Sequence, residues 1–323
     1  MARTRVWRAG VLELEDFPLA DVSDHLQDSS SVVWIDCCEP DLAELDAVAE
    51  ELQLHALAVE DAVAEHQRPK LDRYQTHLFV TGYSVRLDSD TGRLVTAEVA
   101  AFVTRQALLT VRKSPDFDIA DVVSRWDNSP DLAKHGTAFL LHGLLDSIVD
   151  THFAAVQALD DEIEGLEDML FDDAPRSREV QERSFQMRKS LVLLRRVVVP
   201  MREVVNALMR RDLQVVDDAM MPYYQDVYDH VLRATEWTES LRDLVTTILE
   251  THLTIQGNRL NSIMKKVTSW AAIIAVPTAV TGFYGQNVPY PGFGHPSGFW
   301  SSTVLIAVLS GILFAIFKRK DWI

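Results

Sequence analysis

Two apolar segments near the end of the chain constrain its fold more than any other feature. Residues 267–283 and 299–317 contain no charged side chain, and each is close to the roughly 20 residues that carry a helix across a bilayer core. Lys265 and Lys266 flank the first, and Lys318, Arg319 and Lys320 close the second. The connecting stretch, Tyr284 to Gly298, has no Lys or Arg. By the positive-inside rule both ends of this hairpin face the cytoplasm, and so does the large domain before it. The second segment is too uniformly apolar for an amphipathic surface helix. The first contains Thr268, Ser269, Pro277, Thr278 and Thr281. Polar groups at membrane depth persist where they face protein or a water-filled cavity. The plainer readings are a simple anchor or buried helices of a soluble protein.

Charge separates the chain into two parts. Its 323 residues carry a formal charge of −17. Residues 259–323 hold six basic side chains and one acid, leaving −22 on the first 258. A domain so charged repels nucleic acid and anionic lipid and concentrates cations. Met1 to Asp16 is dense in charge and lacks the apolar core of a signal peptide. Cys37 and Cys38 are adjacent, with no CxxC partner. They are expected to be reduced, partly buried side chains rather than zinc ligands.

Residues 1–135 are expected to form an α/β domain. Ser31–Asp36 reads as a strand, and Asp41 caps a helix to about Leu52 with Glu44 as its capping-box partner. His77–Val85, Leu94–Val103 and Ala107–Val111 alternate or run apolar as strands do, with Asp90-Thr91-Gly92 as a turn. Residues 136–221 are expected to hold two long antiparallel helices, about 137–172 and 176–215, broken at Asp172–Pro175. A third helix should begin at Pro222, suited to a first turn, and continue without a stop to about 283. At 1.5 Å per residue its sixty residues make a rod of about 90 Å, long enough to link a water-exposed domain to the membrane. Pro277 is expected to kink it or open its backbone. Residues 284–298 form an outer loop, and 299–323 a second span with a basic tail.

Along the first span, Asn261, Met264, Thr268, Ala271, Ala275, Thr278 and Gly282 recur at intervals of 3, 4, 3, 4, 3 and 4. That is the seam of helices packed about a common axis. Such a stripe either lets membrane helices approach closely or forms one wall of a pore, which several copies would have to complete. It has no carboxylate, and neither His nor Cys for a dehydrating zinc site. Magnesium gives up its water shell reluctantly. The oxygens of Asn287, Thr278 and Asn261 can instead accept hydrogen bonds from those waters.

Four segments carry a resemblance. Tyr284-Gly285-Gln286-Asn287 is similar to the Tyr-Gly-Met-Asn signature of the CorA family of divalent-cation transporters. Asn261–Thr268 resembles the start of that family's first membrane helix, Pro222–His230 its stalk-helix box, and His66-Gln-Arg-Pro-Lys70 a box in its N-terminal domain. The resemblance implies an α/β cytoplasmic domain, a long helical stalk and two C-terminal transmembrane helices, assembled as a funnel-shaped homopentamer in the plasma (inner) membrane with both termini cytoplasmic. It implies transport of Mg2+, and possible transport of Co2+, through a central pore. By resemblance Asn287 lies at the outer mouth in the signature Gly285, Gln286, Asn287, and Asn261 at the inner end. Met264, Val267 and Ala275 fall at the family's apolar constriction, and Ala275 departs from the bulkier residue often found there. Gln286 replaces the usual Met, a position that zinc-specialised members also vary. The family further implies regulatory Mg2+ between cytoplasmic domains, here at Asp226 and His230, one helical turn apart, with Asp88 or Asp90 of a neighbouring subunit. No organic cofactor is expected.

Two other functions remain open on the sequence: a zinc transporter of the same superfamily, and a membrane-anchored sensor that binds metal without conducting it. The anchor reading leaves Asn287 without a task. No Gly-rich phosphate loop, nucleophile elbow or zinc triad suggests an enzyme. Residues 160–173 carry eight acids and no base, which reads as a solvated helix tip or an acidic collar. The bases of Arg183 to Arg211 are expected to pair with neighbouring acidic helices.

Overall fold

The computed structural model describes residues 2–64, 68–88, 90–170, 177–290 and 292–323. His66 and Gln67 of the N-terminal box, the break at 172–175 and the last acids of the 160–173 run lie outside them. The chain divides into two units, Met1–Ile248 and Leu249–Ile323.

The first unit is built on a seven-stranded sheet of order β2-β1-β3-β7-β6-β5-β4. Its strands are β1 (Arg3–Arg8), β2 (Val11–Glu15), β3 (Ser31–Cys38), β4 (Lys70–Arg73), β5 (Leu78–Asp88), β6 (Arg93–Val103) and β7 (Ala107–Arg112). Among the described residues only β3 and β7 pair in parallel, with Ile35 opposite Leu109. Alternation along these central strands divides side chains between two faces. Val33, Ile35, Cys37, Leu109 and Val111 share one core with Leu45 and Val48 of α2 (Leu42–Glu51) and Ala58 and Ala62 of α3 (Ala56–Val63). Burial among them pushes the Cys37 thiol up to about 12. On the other face Trp34 meets Trp126 of α4 (Ile119–Asp127) edge-on, with ring centroids 5.0 Å apart.

The expected strands form: β3 runs two residues longer, β6 and β7 one residue longer, and β5 begins at Leu78 rather than His77 and runs on to Asp88. Asp41 does cap α2, accepting the Glu44 N–H at 2.7 Å. The turn after β5 is held by Asp88, whose carboxylate accepts the N–H groups of Asp90 and Thr91 at 3.1 and 3.0 Å. Those bonds, Thr91 first, lower its pKa, and Gly92 supplies the left-handed residue at φ +63°. The interior strand β1 and the edge strands β2 and β4 went unanticipated. They are short and strongly charged, and their outward side chains hide the period-2 signal.

Three long helices follow: α5 (Thr137–Leu170), α6 (Ser177–Leu208) and α7 (Met221–Tyr284). α6 ends seven residues before the expected 215. Arg210 turns onto Asp212 at 3.2 Å, and Gln214 has left the helical region at φ +53°. Among the ion pairs of this stretch, Arg183 reaches Glu179 one helical turn away and Arg202 its neighbour Glu203. Arg195 instead reaches Glu239 of α7 at 3.4 Å, as the sequence led one to expect.

α5 is apolar and long enough to span a membrane, yet 67% of its most apolar window is buried inside the unit. It covers the sheet. A Cβ on Gly82 of β5 would lie 3.5 Å from Ile148 of α5 and 3.7 Å from Met201 of α6. His152 of α5 is fully buried, and its Nε2–H donates to the Tyr83 carbonyl at 2.7 Å. Burial pushes this imidazole down to about 4. A base whose folded pKa lies below its unfolded value contributes stability above that unfolded value and loses it as the pH falls. About 3 kcal/mol should therefore vanish between pH ~6.5 and ~4. Thermal unfolding of the detergent-solubilised protein across that range reads it. His152→Gln should flatten the acid slope, and an unchanged slope would show that other groups set it.

The second unit holds residues 249–284 of α7 and the whole of α8 (Pro296–Arg319). The apolar windows of α7 and α8 are 6% and 0% buried, the reverse of α5. Such surfaces are far larger than a water-soluble monomer exposes. Along α8 the half-buried positions are Ser302, Ile306, Ser310, Leu313 and Phe317, a single seam at spacings of 4, 4, 3 and 4.

Candidate pore stripe and cation cluster

Between residues 267 and 284 of α7 the less exposed positions are Ser269, Ala272, Ile273, Val276, Pro277, Val280 and Tyr284. At about 100° per residue they centre about 150° from the mean direction of the stripe. Asn261, Met264, Thr268, Ala271, Ala275, Thr278 and Gly282 are all exposed. Gly282 has open space where a Cβ would stand. Val267, 59% exposed, lies at the stripe's edge. Thr278 and Thr281 turn their hydroxyls back to the carbonyls of Ile274 and Pro277, at 3.1 and 2.8 Å. Pro277 lacks an N–H, so the Ile273 carbonyl has no ordinary helical donor.

The signature closes α7. The Gly285 N–H donates to the Thr281 carbonyl at 2.8 Å, and that of Gln286 to Phe283 at 3.3 Å. A Cβ at Gly285 would stand 3.0 Å from the Thr281 oxygen, a close approach that glycine avoids. Gln286 and Asn287 are exposed. Behind them the Tyr290 hydroxyl donates to the Tyr284 carbonyl at 2.8 Å, and the rings of Tyr284 and Tyr290 meet edge-on at 5.0 Å. Gly298, at the start of α8, lies so close to Gly292 that a Cβ would be 2.6 Å from its carbonyl oxygen. The loop thus holds the Asn287 amide on an ordered turn.

A second constellation lies in the first unit. The fully buried Tyr224 of α7 donates its hydroxyl to the Ala138 carbonyl of α5 at 2.9 Å. Burial raises its pKa. Phe153 and Trp237 meet at 5.4 Å farther along the same pair of helices. This packing brings His230 of α7 to Asp146 and Asp150 of α5, with one ligand atom from each within 4.8 Å of the others. Asp226 approaches His230 at 4.0 Å and is 68% exposed. Arg125 of α4 forms ion pairs with both Asp146 and Asp150. Burial lowers the pKa of the nearby His142, against the opposing pull of Asp146 and Asp226. Asp88 is not in this group; its carboxylate serves the β5–β6 turn. Asp146 and Asp150 escaped the sequence reading because α5 is dense in acids, and only packing distinguishes these two. Their spacing of four, matched to that of Asp226 and His230, was the available signal.

A water-exposed α/β unit joined to two apolar helices, with an ordered polar turn between them, defines a membrane protein of the two-span, C-terminal-hairpin class. A family model described as CorA-like Mg2+ transporter protein matches residues 29–319. The chain belongs to the CorA family of divalent-cation transporters. It is 29% identical to the cobalt/magnesium transport protein CorA of Thermotoga maritima, with 98% of this chain and 92% of that one aligned. It is 26% identical to the protein of the same description from Methanocaldococcus jannaschii, over 90% and 92% of the two chains. The complete structure of the M. jannaschii CorA magnesium transporter superposes with a TM-score of 0.81 at 24% identity, covering 100% of this chain and 99% of the other. The fold expected from the sequence is the fold found.

Proposed function

We propose that this chain conducts hydrated Mg2+, and Co2+ by the same route, into the cell through a pore on the axis of a homopentamer in the plasma membrane. Both termini face the cytoplasm, where the basic flanks of the hairpin place them. The observation that carries this reading is the stripe. Apart from Met264 it is small or polar, lies opposite the less exposed face of the helix, and is exposed in a single chain. Turned toward a symmetry axis, five such faces enclose a neutral, hydroxyl- and amide-lined path. Asn287 accepts or donates hydrogen bonds to the ion's water shell at the outer mouth, and Asn261 does so at the inner end. Met264, Val267 and Ala275 narrow the path between them. Such a lining leaves magnesium its waters, and its lack of His and Cys disfavours a dehydrating zinc site. Flux of magnesium, cobalt and zinc into liposomes tests the reading, and a monomer as the only active species would contradict an axial pore.

We infer in addition that cytoplasmic Mg2+ closes the pore. The donor set fits the ion: Asp146 and Asp150 provide oxygens within 4.8 Å of one another and of His230, and Asp226 projects an exposed carboxylate beside them. Magnesium is usually held by one or two carboxylates with several waters retained. Asp88 of a neighbouring subunit would complete the bridge. Five domains of charge −22 repel at short range, and divalent ions between them relieve that repulsion. Asp226→Lys puts a fixed positive charge at the site. Wild-type protein should become protease-resistant as magnesium rises, whereas the variant should change much less. Superimposable titrations would remove Asp226 from the mechanism.

A further inference from the structure

One cation already sits on the two α5 carboxylates. The guanidinium of Arg125 bridges Asp146 and Asp150 through separate nitrogens, Nη1 to the first and Nη2 to the second. Burial works against its charge, but hydrogen bonds to Asp150 and Asp146 raise its pKa all the same. These are the carboxylates that share the metal-sized grouping with His230. A divalent ion and a bridging guanidinium need the same oxygens, and both cannot have them in full.

Arg125 has somewhere else to go. It lines an open cleft of about 480 Å³ that also holds Asp116, Asp118, Asp121 and Asp150. Three further carboxylates therefore stand within the space into which the displaced side chain would turn. Its own side chain is 40% exposed, so turning does not require the core to open. Its helix is anchored independently by the buried Ile119, Val122 and Trp126.

We propose that Arg125 is a tethered cation that competes with divalent ions for Asp146 and Asp150, and so raises the concentration at which the cytoplasmic unit responds to magnesium. The inference rests on the metal-gated closure proposed above. With little free magnesium, Arg125 neutralises the α5 pair and keeps the acidic cluster from repelling itself. As magnesium rises, the ion takes the oxygens and the guanidinium moves toward Asp118 and Asp121 of the cleft. The exchange makes the site a threshold detector rather than a tight binder. Arg125 is a positioning residue here and touches no transported ion.

The test is limited proteolysis of the full-length, detergent-solubilised protein against magnesium concentration, with a thermal melt of each sample. Arg125→Gln removes the competing charge and keeps a polar side chain of similar reach. Its half-protection point should fall about tenfold, equivalent to about 1.4 kcal/mol. Without magnesium it should melt lower than wild type, because Asp146 and Asp150 then face each other uncompensated, and saturating magnesium should close most of that gap. Arg125→Lys keeps the charge but not the two-pronged fork, so its half-protection point should fall between the two. Should the glutamine protein not fold, a lysine curve displaced toward lower magnesium supports the same conclusion. Curves that coincide with wild type, or move to higher magnesium, overturn the competition. A wild type that gains no protection at all instead overturns the gating reading on which the proposal rests.

Discussion

Replacing Asn287 by alanine is expected to abolish magnesium uptake while leaving a folded, assembled protein. The expectation follows from where the amide sits and how little the fold asks of it. Asn287 is exposed, and among the described residues its side chain has no hydrogen-bond partner. Its neighbours are held by other groups: Gly285 and Gln286 by backbone bonds to Thr281 and Phe283, and the far side of the loop by Tyr290 on Tyr284. Removing the amide therefore takes away a hydrogen-bonding group without loosening the turn that presents it. A hydrated ion entering a neutral pore has few other groups to organise its waters, so the loss should fall on entry rather than on assembly. Uptake by liposomes reads the effect, with mass measurement in detergent as the check on assembly. Gln286→Met serves as the control in the same loop and should retain transport. Uptake at the wild-type rate by Asn287→Ala would remove the outer-mouth assignment.

The largest expected effect on stability lies far from the membrane, at the parallel centre of the sheet. Asp36 of β3 is 1% exposed and Arg112 of β7 is 7% exposed. The guanidinium grips the carboxylate with two bonds, Nε to Oδ1 at 3.0 Å and Nη2 to Oδ2 at 2.7 Å. Its third nitrogen donates to the Phe117 carbonyl at 3.0 Å, and the Thr110 hydroxyl donates to Asp36 at 2.8 Å. Burial opposes the charge on Arg112, but the Asp36 partnership raises its pKa. Arg112→Met would leave a buried carboxylate with no counter-charge, which costs about 3–5 kcal/mol. For a unit of this size that is a fall of roughly 6–10 °C in the thermal midpoint. Asp36→Leu combined with Arg112→Met removes both charges and should be much milder than the single change. A single variant that melts with wild type would show that water reaches the pair.

How much of this could be read from the chain depended on the distance over which each feature is decided. Membrane insertion of α8 was legible because it depends on composition along one helix, and bilayer thickness sets the length required. The stripe from Asn261 to Gly282 was legible because helical period alone places those seven residues on one face. The turn at Asp90–Gly92 and the Asp41 cap are equally local, since Asp88 and Asp41 each bond to backbone two or three residues away. Strands β1 and β2 were not legible, since their pairing partners supply the order that their charged outward faces conceal.

Tertiary structure alone decided the rest. α5 satisfies the same length and composition test as α7 and α8, yet most of its apolar window is buried inside the unit. Apolar side chains favour lipid and protein core alike, and only the presence of a sheet to cover separates the two. The cation cluster is non-local in the same sense. Arg125 lies 21 and 25 residues from the acids it bridges, and His230 joins them from another helix. Its existence depends on how α4, α5 and α7 pack, held by Tyr224 against the Ala138 carbonyl and by Trp126 against Trp34. Helical period could put Asp226 and His230 on one face, but no local rule could say which of the many acids of α5 would meet them, or that an arginine would already be seated there.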